Sequence, residues 1–164
     1  MDPVTIAGLA SAIIALVGAA LKGISVFRKF INKLISEGGS ISTLLHGLRT
    51  LQHAMQAVED ILRALARQGR DRESMASNIL LVIRDHMVSC QSDFDQWQAV
   101  VNGFNLARNK LSPKDMLTRL KLAVEMNTSE ELQQRVAQHQ TNLFVTTNLL
   151  LFTEYVACHS RYLR

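Results

Sequence analysis

The sequence is poor in residues that break or stiffen a chain. It has two prolines in 164 residues, so little interrupts a helix. Aromatic residues make up 5%, with a single Trp. Leu, Ala, Ile, Val and Met must therefore do most of the packing, which suits helices. Two cysteines, Cys90 and Cys158, stand apart with no C-x-x-C pair. Two lone thiols fit a reducing compartment better than a disulfide framework, and both read as small buried hydrophobes. No window alternates in the manner of a strand, and there is no repeat, low-complexity tract or domain boundary.

Chemical motifs are also missing. No G-x-x-x-x-G-K-[ST] or G-x-G-x-x-G phosphate loop occurs, and no G-x-S-x-G nucleophile turn or H-E-x-x-H zinc pair. His86 and Cys90, four apart, share a helix face, but two ligands do not make a metal site. They read as a packed thiol beside a solvated His. His46 and His53, seven apart, share a face with no fixed carboxylate. Glu59-Asp60 and Asp93/Asp95 read as solvated faces, and Glu130-Glu131 as the acidic start of a helix. Arg63, Arg67, Arg70 and Arg72 cluster where the second helix ends, as the helix dipole favours. They lack the interleaved aromatics of a nucleic-acid surface, so no nucleic-acid partner is expected. No catalytic residue, cofactor or metal is assigned.

Apolar residues make up 48% of the chain, enough for the core of one domain. The net charge of +4 is mildly basic. Residues 4–21 carry no charge, a length at the lower edge of a membrane span. The Met1-Asp2 start lacks the basic residues of a signal peptide. The stretch predicts an apolar helix over 3–21, opened by Asp2 and Pro3, with Gly18 and Gly23 loosening its end. An amphipathic segment over 22–35 follows. Ile24, Phe27, Ile31 and Leu34 share one of its faces, and Lys22, Lys29 and Lys33 the other. Glu37-Gly38-Gly39-Ser40 ends it. The rest of the bundle occupies 41–163 of a single helical domain, 1–164.

The second helix has the cleanest pattern. Ile41, Leu44, Leu48, Leu51, Met55, Val58, Leu62 and Leu65 alternate steps of three and four, a heptad seam that needs a partner helix. The turn falls at residues 68–71. A third helix, from about Ser74 to Arg108, buries Met75, Ile79, Val82, Phe94, Trp97, Val101 and Phe104, with a polar middle at 84–93 expected to bend. Ser112-Pro113-Lys114-Asp115 caps a short helix with Met116, Leu117, Leu120 and Val124. Thr128-Ser129-Glu130-Glu131 opens the last, with Leu132, Val136, Leu143 and Leu150 inward. The fold class is all-α, a bundle of about five helices with an apolar N-terminal helix.

The small residues of the first helix form ridges at four-residue spacing: Gly8/Ala12, Ser11/Ala15 and Ala15/Ala19. Such ridges suit a central helix wrapped by the others, or one that leaves the bundle for a bilayer. In the second case Ile6, Leu9, Ile13, Ile14 and Leu16 would enter lipid, while Lys22, Lys29 and Lys33 meet anionic headgroups.

The opening Met1-Asp2-Pro3-Val4-Thr5-Ile6-Ala7 resembles the M-D-P-[LV]-[ST]-I-A start of fungal N-terminal domains that precede a STAND (NLR-like) nucleotide-binding core or stand alone. The family includes the N-terminal domain named for an azaphilone pigment biosynthesis cluster protein. Cys90 with Phe94 and Trp97, residues 117–123 (similar to R-L-K-W-A) and residues 131–143 (similar to E-L-x-x-x-L-x-x-H-K-x-x-L) extend the resemblance over nearly the whole chain. Leu122 stands where Trp is usual and Gln140 where Lys is usual. The resemblance implies a HeLo-like, non-enzymatic signalling or effector module. It would be cytoplasmic, self-associating or paired with a helical protein, and membrane-associated when its N-terminal helix engages an anionic bilayer. The alternative is a stand-alone helical protein of a secondary-metabolite gene cluster, binding a small hydrophobic molecule or assisting a pathway enzyme.

Overall fold

The computed structural model describes residues 3–34, 39–67, 74–106, 112–123 and 129–162, and within them the chain is all-α. Five helices occur among the described residues: α1 (Pro3–Asn32), α2 (Gly39–Arg67), α3 (Ser74–Leu106), α4 (Pro113–Ala123) and α5 (Ser129–Tyr162). The expected turn at residues 68–71, the cap Thr128, and Glu37, Gly38, Arg70, Arg72 and Val124 lie outside the described residues. So do the side chains of Met75 and Phe104.

The apolar stretch and the amphipathic segment form one unbroken helix, α1. Gly23, expected to loosen it, serves packing instead. A Cβ there would sit 3.0 Å from the Cβ of Phe94, so the missing methylene lets α3 come close. Gly18 is exposed, with nothing near its missing Cβ. The two glycines should therefore answer oppositely to alanine. Gly18→Ala should raise the unfolding free energy by up to about 1 kcal/mol through helix propensity. Gly23→Ala should lower it, because the ring-bearing Cβ of a core Phe cannot retreat cheaply. Thermal melts of the two variants check this. The helix closes on i→i−3 bonds, Lys33 N–H to Phe30 C=O and Leu34 N–H to Ile31 C=O, which tighten its last turn.

Along α2, Ile41, Leu44, Leu48, Leu51, Met55, Val58 and Leu62 are all buried, and Leu65 at the seam's end is partly so. The polar middle of α3 at 84–93 is helical throughout, so α3 runs unbroken from Ser74 to Leu106. Ile79, Ile83, Met87, Cys90, Phe94, Trp97 and Val101 keep one inward stripe in steps of three and four. Ile83 takes the inward position, which turns its neighbour Val82, expected inside, out to solvent. The α4 cap forms as expected. The Ser112 hydroxyl accepts from the Asp115 N–H at 3.1 Å and donates to the Asp115 carboxylate at 2.7 Å. In α5, Leu132, Val136, Leu143 and Leu150 face inward, joined by His139 and Thr146. The β-branched run at residues 145–147 is helical, and the Thr146 hydroxyl there finds a partner by donating to the Asn142 carbonyl at 2.7 Å.

Four long helices pack in a ring, α1 against α2, α2 against α5, α5 against α3, and α3 against α1, with α4 on the side of α3. Gly23 abuts Phe94 while Phe27 lies beside Phe94 and Trp97, so α1 and α3 run in the same direction. The few aromatics converge at this contact. Phe27 of α1, stacked on Phe30 of the same helix, meets Phe94 and Trp97 of α3, with neighbouring ring centroids 4.9 to 6.4 Å apart. Gly47 of α2 receives Val136 and Gln140 of α5, and Gln140 Nε2 donates to the Gly47 carbonyl. Arg28 ties α1 to α2 through Gln52 at 2.6 Å.

Candidate interaction surface

Asp93, expected on a solvated face, is buried between α3 and α5. Arg135 Nε and a second guanidinium nitrogen reach its two oxygens at 2.8 and 3.1 Å, and His139 Nε2 lies 2.9 Å from Oδ2. Burial alone would raise the Asp93 pKa, but these hydrogen bonds and charges outweigh it and hold the carboxyl below its ordinary value. The same bond raises Arg135. A depressed carboxylate stabilises the fold above its ordinary pKa of about 4 and loses that contribution as pH falls through the lowered value. Asp93→Asn should cost about 2 kcal/mol at neutral pH. The gap to the wild type should shrink as pH falls below about 4. Urea unfolding across that range measures it, and a constant gap would place the cost in packing rather than charge.

Burial, and secondarily the Asp93 charge, pushes the Cys90 thiol upward. A thiol held protonated is a poor nucleophile and a poor metal ligand. Its face partner His86 is half-buried. Cys158, read from the sequence as buried, is exposed near the end of α5. His46 and His53 are exposed on α2, and Glu59 pairs with Arg63 one turn on. Among the described residues, no three His, Cys, Asp or Glu side chains are arranged to hold a metal.

The residues singled out on α1 divide between two sides. Ile13 is fully buried, and Ile6, Leu9, Ile14 and Leu16 pack partly against the core. Lys22, Lys29 and Lys33 are exposed. The small residues Gly8, Ser11, Ala12, Ala15 and Ala19 also face outward. α1 is thus held on one side by α2 and α3 and is not wrapped by the bundle. Residues 6–32 are long and apolar enough to cross a membrane by length and composition, a test that a core helix passes too.

Among the described residues, most of the exposed large apolar side chains lie on α5. Phe144, Val145, Leu149, Leu151, Phe152, Tyr155 and Val156 are each 44 to 68% exposed. At 3.6 residues per turn they fall within an arc of about 160°, opposite the inward side chains. No charged residue occurs from 140 to 153, and this half of α5 carries apolar residues on its outward as well as its inward side, with uncharged Gln, Asn and Thr at the remaining positions. Such a helix belongs in an interior, yet only one of its sides is covered. The sequence reading found the inward stripe of α5 and missed this outward one. The uncharged run was its visible signal.

Between the N-terminal halves of α2 and α5 lies an open groove of ≈ 460 Å³, bordered by His46, Gly47, Gln133 and Gln140. No family model, curated protein or solved structure matches the chain.

Proposed function

We propose that this chain is a non-enzymatic interaction module of the fungal signalling type, acting through helix-mediated self-association. The uncovered apolar face of α5 carries this reading. A contiguous apolar surface on one long helix marks a protein contact more readily than a reaction centre. The resemblance of residues 1–7, 117–123 and 131–143 to the STAND-associated, HeLo-like domains supports the same reading.

Membrane engagement by α1 is the second part of the proposal. The exposed lysines favour an anionic leaflet, each contributing about 1 kcal/mol near the surface. Insertion would require α1 to leave α2 and α3 and to uncover Ile13, Val17, Ile24 and Phe27, all fully buried. Deleting residues 1–21 would remove part of the core, so charge reversal is the cleaner probe. Size exclusion with light scattering, run with and without liposomes, tests both parts. The expected results are an assembly larger than the 18.3 kDa chain and co-sedimentation with anionic but not neutral vesicles, weakened in Lys29→Glu/Lys33→Glu. A monomer that ignores both vesicles would shift the weight to the alternative, a helical protein binding a small apolar molecule. The groove between α2 and α5 is where such a ligand would be sought.

A further inference from the structure

We infer that the outward face of α5 pairs with the same face of a second copy, in a two-fold contact centred on Asn148. This rests on the reading of the chain as a self-associating module and names its surface.

The spacing is the first argument. Thr141, Val145, Asn148, Phe152, Tyr155 and His159 follow one another in alternating steps of four and three. That is heptad spacing, as in the α2 seam, but turned to solvent: all six side chains are exposed, with apolar Val145, Phe152 and Tyr155 at its centre and Thr141 and His159 at its ends. Phe144, Leu149, Leu151 and Val156 flank it.

Area is the second argument. Three exposed aromatics, each worth ~150–250 Å² when fully buried, together with four aliphatic side chains offer on the order of 700 Å². A standard interface takes about 800 Å² from each partner.

The third argument is Asn148. It sits in the middle of an otherwise largely apolar face. A bilayer would leave its amide without a partner in hydrocarbon. A two-fold axis through this position brings amide to amide, and each supplies both donor and acceptor. Between Val145 and Tyr155 it is the one polar position of the seam, and a polar residue among apolar seam positions fixes register. The absence of charge between 140 and 153 removes repulsion between identical faces in a molecule of net charge +4.

Light scattering on the full chain at micromolar concentration tests the contact. The wild type should have twice the 18.3 kDa chain mass. Phe152→Glu and Val145→Lys should each be monomeric, with unchanged helical circular dichroism, because both positions are already exposed in the single chain. Ala12→Glu on α1 should remain dimeric. Asn148→Cys, placed in a Cys158→Ser background, should form a disulfide-linked dimer under mild oxidation, whether or not the charged variants fold. If wild type and Phe152→Glu are both dimers, the α5 contact is wrong and self-association uses another face. A wild type that is monomeric throughout overturns both the contact and the self-association reading. A wild-type monomer that pellets with neutral vesicles in a Phe152-dependent way assigns the face to lipid instead.

Discussion

Changing Leu51 to Asp should leave the protein largely unfolded at room temperature. Leu51 is fully buried at the middle of the α2 seam. Removing its side chain alone costs 2–5 kcal/mol in typical cores, about the size of the whole stability of a marginal domain. The carboxylate adds the penalty of an unpaired charge in an apolar interior. Val58→Asp should behave in the same way. Leu65→Asp, at the partly buried end of the seam, should cost far less. Circular dichroism melts separate the three. A cooperative transition at the wild-type temperature for Leu51→Asp would mean that the seam does not hold the bundle together.

The second large effect is expected at Trp97. Its ring is buried with centroids 5.0 Å from Phe27 and 4.9 Å from Phe94. Trp97→Ala should cost about 3–5 kcal/mol. In a chain of this size that lowers the melting temperature by roughly 10 °C or more. The same substitution at Phe152, on the outward face of α5, should leave the melting temperature of the single chain nearly unchanged. The comparison is made at a concentration where the chain is monomeric, and a comparable loss at both sites there would mean that Phe152 is buried in the folded chain.

The contrast between those two aromatics reflects what the sequence made legible. The α2 seam was readable because seven of its eight positions obey one period and bury on one side. The α4 cap was readable because Ser112 and Asp115 act within three residues of each other. Val82 was misplaced because Ile83 beside it fits the inward stripe better, and two adjacent β-branched residues offer two frames. The Asp93 cluster was not legible at all. Its partners lie 42 and 46 residues away on another helix, and only packing brings them together. Gly23 was taken for a weak point because a glycine in a helix looks the same whether it breaks the helix or receives a neighbour. The outward face of α5 is masked in the sequence because apolar residues on two opposite sides of the helix blur the period that marks a single buried stripe.

The ring order bears on how the chain is made. The most apolar helix comes first, but one of its two neighbours is α3, which begins only at Ser74. During synthesis α1 can close a hairpin with α2 soon after both emerge. The side of α1 that receives Phe94 and Trp97 stays uncovered until roughly a hundred residues have left the ribosome. Exposed apolar surface in that interval favours aggregation or capture by a chaperone. Slowing elongation within the α3 coding region should therefore lower the soluble yield more than the same pause placed within α5.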